Sequence, residues 1–235
     1  MRLTLLISLL VLICGCSNSP DTAHSREAKR GLDQATAMIR KQQVSNPSYS
    51  IDLQLNAEGT PFSGSNLISF DFQPQGSDLS IDFSAGNVIE VKINGKPADY
   101  QYNGFFLNFS EHQFKTGSNQ LLIKYTHPYS KDGGGLYYFK DPLDQTVYTY
   151  SDLEPYDANR IFPLFDQPNL KARFTLNVDV PANWQVVSAN RETSITQQAE
   201  RALWQFPQTL PISSYVISVH AGEYASFDLG NYQGI

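Results

Sequence analysis

Beyond position 16 the 235-residue chain contains no cysteine. That excludes a disulfide framework and any cysteine-ligated metal site, so stability has to come from a buried core. Histidine is also scarce: His24, His112, His127 and His220 are the four present, no two of them spaced four apart. Each therefore reads as a surface or strand histidine rather than a metal ligand. Positive charge is in short supply too. Residues 1–15 hold one of the 17 basic residues (Arg2), and the remaining 220 residues carry 16 basic against 23 acidic side chains, a net charge near −7. With no basic stripe to neutralise phosphates, nucleic acid is not expected as a partner. There is no glycine-rich phosphate loop, no heptad seam and no internal repeat. A chain of this length can bury roughly 70% of its unfolded surface, enough for one substantial core.

The amino terminus has a short basic start at Arg2 and an apolar run from Leu3 to Ile13. The run is too short for a comfortable membrane span and has the length of a signal-peptide core. Ile13-Cys14-Gly15-Cys16 resembles the bacterial lipobox, which implies a signal peptide over 1–15 and acylation of Cys16. An ordinary cleaved signal with two incidental cysteines is the alternative. Ser17 after that cysteine points, by analogy with lipoprotein sorting, to the outer membrane facing the periplasm. Residues 16–45 are expected to form a polar tether and one helix, capped by Ser25 and running through Lys41, with Arg26, Arg30, Arg40 and Lys41 on solvated faces.

From Asn46-Pro47 onward the apolar period changes from about 3.6 to 2. Tyr49, Ile51, Leu53 and Leu55 alternate with polar residues, as do Ile68, Phe70 and Phe72, then Leu79, Ile81 and Phe83. Val88 to Asn94 ends in Asn94-Gly95, a strong hairpin signal. Tyr100–Phe109, Gln120–Tyr125, Phe174–Val180, Trp184–Ser188, Ala202–Phe206 and Tyr215–Ala221 read as further strands. Short strands separated by Gly, Asn, Pro and Ser predict an all-β fold, an antiparallel sandwich over 46–235. Thirteen tyrosines and fourteen phenylalanines suit such pleated, half-buried surfaces. The stop at Ile235, directly after Gly234, reads as a boundary inside a longer protein.

Tyr148 to Phe174 stands out, with two carboxylates (Asp152, Glu154) and three prolines (Pro155, Pro163, Pro168). As a strand, 148–154 would put Tyr148, Tyr150, Asp152 and Glu154 on one face and Val147, Thr149, Ser151 and Leu153 on the other. Asp152 and Glu154 would then lie about 6 to 7 Å apart. Two anions so placed repel unless a cation lies between them, so the pair suits an ammonium group. Simple exposure, or neutralisation by Arg160 and Lys171, is the other reading of the same spacing. Asp166 is expected to cap a turn starting at Pro168.

The run Gly135-Leu136, Asp141-Pro142, Tyr148-Thr149-Tyr150, Glu154-Pro155, Asp157-Ala158, Arg160, Phe162-Pro163, Phe165-Asp166, Pro168, Lys171-Ala172 and Phe174 resembles the amino-terminal domain of the aminopeptidase N family, the gluzincin zinc metallopeptidases. Pro181, Trp184 and Val187-Ser188-Ala189-Asn190, then Pro211-Ile212-Ser213-Ser214-Tyr215 and Ala221-Gly222, extend the resemblance over about 45 to 227. It implies a saddle-like β-sandwich packed against a zinc-bearing catalytic domain, with Glu154 binding the free α-amine of a peptide. A charge-assisted contact there would enforce cleavage from the amino terminus. Asp152 stands where the family commonly has glutamine, which leaves the preferred first residue open. Leu164 and Gln167 replace a common cysteine and glutamate.

The family's chemistry also needs HExxH with a downstream Glu, and a Gly-x-Met-Glu-Asn strand; neither occurs in this sequence. The chain is therefore expected to bind no zinc and to be inactive alone, with no catalytic or metal-binding residue assigned. The resemblance implies an exported, lipid-anchored zinc aminopeptidase of which this is the amino-terminal part. Its partners would be peptides with a free amino terminus, the missing catalytic domain and the membrane. The alternative is a non-catalytic lipid-anchored β-sandwich that binds or scaffolds; a carbohydrate-binding sandwich has only the fold class behind it.

Overall fold

The computed structural model describes residues 26–227 and 230. Among these residues one α-helix, α1 (Gln34–Gln43), precedes fifteen strands: β1 (Val44–Gln54), β2 (Phe62–Phe72), β3 (Leu79–Asp82), β4 (Asn87–Ile93), β5 (Lys96–Pro97), β6 (Gln101–Tyr102), β7 (Phe106–Phe109), β8 (Gly117–His127), β9 (Gly135–Lys140), β10 (Val147–Asp152), β11 (Arg173–Pro181), β12 (Gln185–Ser188), β13 (Ser194–Gln198), β14 (Arg201–Phe206) and β15 (Val219–Gly222). An eight-stranded sheet runs β13-β14-β11-β1-β2-β8-β4-β5, a four-stranded sheet β12-β15-β10-β9 and a three-stranded sheet β3-β7-β6. The all-β expectation holds. Between strands the pairing is antiparallel except for β1 and β11, which run parallel because the long excursion between them returns the chain to the same end of the sheet.

Helix α1 starts later than the sequence predicts. Its cap is Asp33, whose side chain accepts from the Thr36 amide at 2.8 Å, and Gly31 at φ +103° breaks the chain ahead of it. Ser25, the expected cap, lies outside the described residues. Nor is the helix solvated on all its charged faces, since Arg40 is buried. The chain passes from α1 straight into β1, where Asn46 and Pro47 mark a register shift against β2 rather than the strand's start.

Strand alternation follows the predicted period. Tyr49, Ile51 and Leu53 of β1, Ile68, Phe70 and Phe72 of β2, and Leu121, Ile123 and Tyr125 of β8 all face one core. Leu79, Ile81, Leu107 and Phe109 of the three-stranded sheet, and Val147, Val219 and Ala221 of the four-stranded sheet, meet them. Asn94 and Gly95, with φ of 50° and 80°, form the two-residue turn between β4 and β5. The stretch 100–109 is two short strands rather than one, because Gly104 at φ +86° turns the chain between β6 and β7. Tyr215 and Val216 belong to a 3-10 turn, so the last strand begins only at Val219.

Candidate functional site

The segment from Leu153 to Ala172 is not a surface turn but a plug through the core. Ile161 to Gln167 are all buried. A buried loop must find partners for its backbone, because unpaired N–H and C=O groups are costly away from water. Asp82 and Leu164 exchange backbone hydrogen bonds at 2.8 and 3.0 Å. The Phe165 amide donates to the Tyr49 hydroxyl at 3.1 Å, and Asn66 Nδ2 donates to the Pro163 carbonyl at 2.8 Å.

Two buried carboxylates organise this plug. Asp82, at 0% exposure, accepts from Arg26 and the Tyr156 hydroxyl on Oδ1 (2.6 and 2.9 Å) and from Arg40 and the Asp166 amide on Oδ2 (2.7 and 2.8 Å). Burial works to raise its pKa, but the charges of Arg40 and Arg26 outweigh it and hold the carboxyl below the usual range. Asp166 does not cap the turn at Pro168. Its Oδ2 accepts from the Asn159 amide and side chain (3.0 and 2.8 Å) and its Oδ1 from the Ser214 hydroxyl (2.6 Å). Its position in the core explains the difference: the carboxylate is drawn to the buried Asn159, whose amide and side chain both need an acceptor there. Burial pushes its pKa up, the Ser214 donor opposes that, the neighbouring Asp82 charge adds to it, and the result is about 6. Gln167 is also more than a turn residue, since its Oε1 accepts from Arg40 at 3.0 Å and its amide donates to the Ala37 carbonyl at 2.9 Å.

Against this plug the candidate binding carboxylates stand at the rim. Val147, Thr149 and Leu153 are buried and Tyr150, Asp152 and Glu154 exposed, as the predicted division of faces has it, while Tyr148 and Ser151, assigned to opposite faces, are both half-buried. The strand ends at Asp152; Glu154 belongs to a turn closed by the Asp157 amide donating to the Leu153 carbonyl at 3.0 Å. Neither the Asp152 nor the Glu154 carboxylate makes a hydrogen bond or ion pair with a described residue. Arg160 is engaged elsewhere, at 2.7 Å from Asp132 and 3.7 Å from Asp157, and Lys171 donates to the Ser213 hydroxyl. Gly134 and Gly135 lead into β9 against that arginine: a Cβ at Gly135, with φ +79°, would sit 2.9 Å from Arg160 Cβ.

Beside the carboxylates runs a row of aromatic side chains. Tyr150 is paired across the strands with Tyr137 on one side and His220 on the other, and Val187 follows His220. The Tyr137 and Tyr150 rings are 5.1 Å apart. Opposite residues of an antiparallel pair share a face, so these side chains form one surface ending at Asp152. Tyr150, Phe139 and Val187 remain 38%, 41% and 56% exposed.

Residues 45–216 match the family described as the Peptidase M1 N-terminal domain. The chain belongs to this family. Among curated relatives it is similar to the aminopeptidase N of Streptomyces lividans, with 35% identity over 181 residues covering 76% of this chain and 21% of that protein. Similarity to leucine aminopeptidase 2 of Saccharomyces cerevisiae is 24% over 208 residues, covering 77% of this chain and 28% of that one. In fold it is similar to the leukotriene A4 hydrolase of Saccharomyces cerevisiae, with a TM-score of 0.66 at 23% identity over 81% of this chain and 31% of that one. A variant of the M1 zinc metallopeptidase from Deinococcus radiodurans gives 0.66 at 19% identity, over 77% and 42% of the two chains. The chain thus spans between about a fifth and somewhat over a quarter of the curated relatives just named. It is the amino-terminal domain of an M1-type protein.

A zinc site does not fit these residues. Among the described residues no group of three or more His, Cys, Asp or Glu side chains could hold a metal ion. His127 sits at the end of β8 with its ring nitrogens 2.7 Å from the Pro128 and Ser84 carbonyls, and His220 lies on β15. His24 and Cys16 lie outside the described residues.

Proposed function

We propose that this chain is the amino-terminal domain of an exported zinc aminopeptidase, and that it contributes Glu154, with Asp152, to recognition of a peptide's free α-amine. One observation carries the reading: Glu154 is an exposed carboxylate without a partner among the described residues, on a turn fixed at both ends by buried groups. A free carboxylate in a flexible loop would recognise poorly; one held in place loses little freedom on meeting an ammonium ion. The contact is charge-assisted, so a substrate with a blocked amine loses it and leaves the carboxylate unpaired. Asp152 adds a second negative charge, which favours a cation at the site further. The aromatic row from Tyr137 to His220 offers apolar surface beside the charge.

The names of the relatives, all but one of those cited being aminopeptidases or metallopeptidases, support peptide hydrolysis as the activity of the whole protein. Zinc bound by that other part would supply an activated water; the residues here would bind and orient the peptide. We place the protein outside the cytoplasm, attached through an acylated Cys16. Titration calorimetry of the full chain with trialanine and N-acetyl-trialanine tests the amine reading. Binding of trialanine alone is expected; equal affinity, or none for either, overturns it.

A further inference from the structure

We propose that the residues ahead of α1, Arg26 to Arg30, form a strap that positions the Glu154 turn, with Arg26 as its positioning residue. The inference deepens the amine-recognition reading and rests on it. These residues precede the family-matched span of 45–216, so that match gives them no role.

The strap grips the turn at the two residues that follow Glu154-Pro155. Tyr156 donates its hydroxyl to Asp82 Oδ1 at 2.9 Å and accepts from Arg26 Nη2 at 3.1 Å. Arg26 Nη1 reaches the same Asp82 oxygen at 2.6 Å and the Ser80 hydroxyl at 3.1 Å. Its Nη2 also donates to the Gly31 carbonyl at 3.0 Å, which closes the strap's own bend. The guanidinium lies 4.0 Å over the Phe106 ring, and its side chain is 5% exposed. Next along, Arg30 pairs with Asp157. The turn is thereby fixed from three directions: Leu153 in the core, Tyr156 on the arginine–aspartate pair, and Asp157 between Arg30 and Arg160.

Guanidinium chemistry is what this geometry needs. A planar fork can address Asp82, Tyr156, Ser80 and Gly31 together, whereas an ammonium is a point charge on a flexible stem. If Arg26 served only to neutralise Asp82, it would be redundant with Arg40, which already supplies one positive charge at 2.7 Å from the other carboxylate oxygen. What Arg26 adds beyond charge is the contact to Tyr156, two residues from the recognition carboxylate.

The test compares the full chain with Arg26→Lys and Tyr156→Phe, two changes that keep the core filled. Amide hydrogen exchange is read at Asp157, Arg160 and Ile161, whose N–H groups close the turn and the following 3-10 helix. Both variants are expected to speed exchange there by about ten-fold or more while amides in β1 and β8 keep their rates. Both should weaken trialanine binding roughly ten-fold and leave N-acetyl-trialanine unaffected. Unchanged exchange at the turn, equal acceleration across the sheet, or a loosened turn with full trialanine affinity would each overturn the strap. If the unaltered chain fails to distinguish the two peptides, the amine reading falls, and exchange at the turn still decides whether the strap holds it.

Discussion

Arg40 and Asp82 form an ion pair sealed from water: Nη1 lies 2.7 Å from Oδ2, and the two side chains are 1% and 0% exposed. The pair joins the only α-helix among the described residues to the end of β3, across 42 positions of sequence. Arg40 spends its other donors on Gln167 Oε1 and the Ser80 carbonyl, while Nη2 finds no partner among the described residues. A buried pair of this kind is not by itself a large source of stability, because desolvation offsets most of the attraction. Removing Arg40 is different: Asp82 keeps Arg26 on Oδ1, but its Oδ2 loses its cation, and Gln167 Oε1 and the Ser80 carbonyl lose their buried donor.

Arg40→Met should therefore destabilise the fold by about 1–3 kcal/mol, the cost of buried acceptors left without their donor while Arg26 still neutralises Asp82. The methionine can occupy the stem's space, so the loss reports the broken charge and hydrogen bonds rather than a cavity. The urea unfolding midpoint measures it. A shift no larger than that of an exposed-site control such as Lys41→Met would show that the pair does not hold the plug.

Asp166 predicts a pH dependence with a definite sign. Its pKa is about 6 in the folded chain against an ordinary value of 3.8, so between these values the native state binds more protons than the unfolded one. Stability from this group is complete below about pH 4 and declines as pH rises through 6, by roughly 3 kcal/mol at most. Asp82 acts oppositely, its depressed pKa meaning stability lost as pH falls below the ordinary value. Asp166→Asn can keep its neighbours satisfied, accepting from Asn159 and donating to the Ser214 oxygen. Urea midpoints between pH 4 and 6 should fall with pH in the parent chain and flatten in the variant. Parallel curves would contradict the assigned shift.

Legibility in the sequence tracks how local the physics is. Ile51 and Leu53, or Leu121, Ile123 and Tyr125, announce their strands because each strand buries one face on one core. The Asn94-Gly95 turn is visible because only a few residues tolerate two consecutive left-handed conformations. β13 carries no such mark: Ser194 to Gln198 are all exposed, and only pairing with β14 at the sheet edge makes them a strand. β9 was hidden by its aromatics, since Tyr137, Tyr138 and Phe139 are consecutive and blur any alternation. Arg40 looks solvated because nothing nearby in sequence explains its burial; its partner arrives 42 residues later. The same non-local logic hid the roles of Asp82, Tyr49 and Asp166. The exposure of Asp152 and Glu154 was legible from the alternation, whereas the apparatus that fixes the Glu154 turn was not.

Cys16 offers a prediction independent of the fold. If it is acylated, Cys16→Ser should release the protein from the membrane fraction and abolish labelling with a palmitate analogue. No helix among the described residues is long and apolar enough to cross a membrane. Retention of the variant in the membrane fraction would reject the lipid anchor.

Glu154 gives the most direct test of what the rim carboxylates do. Glu154→Gln removes a charge while keeping shape and hydrogen-bonding capacity. The side chain is exposed and has no partner among the described residues, so stability should stay within about 0.5 kcal/mol of the parent. Affinity for trialanine should fall by the worth of a charge-assisted contact, about 1.5–3 kcal/mol, or roughly ten-fold or more. N-acetyl-trialanine, which carries no ammonium, should be indifferent to the change. Asp152→Asn is expected to produce a smaller loss in the same direction, because its charge acts alongside Glu154 from the end of β10. Calorimetry on the four combinations of these two sites separates the contributions: a coupling energy between them means one shared cation, and strict additivity means two independent carboxylates of which only one meets the amine.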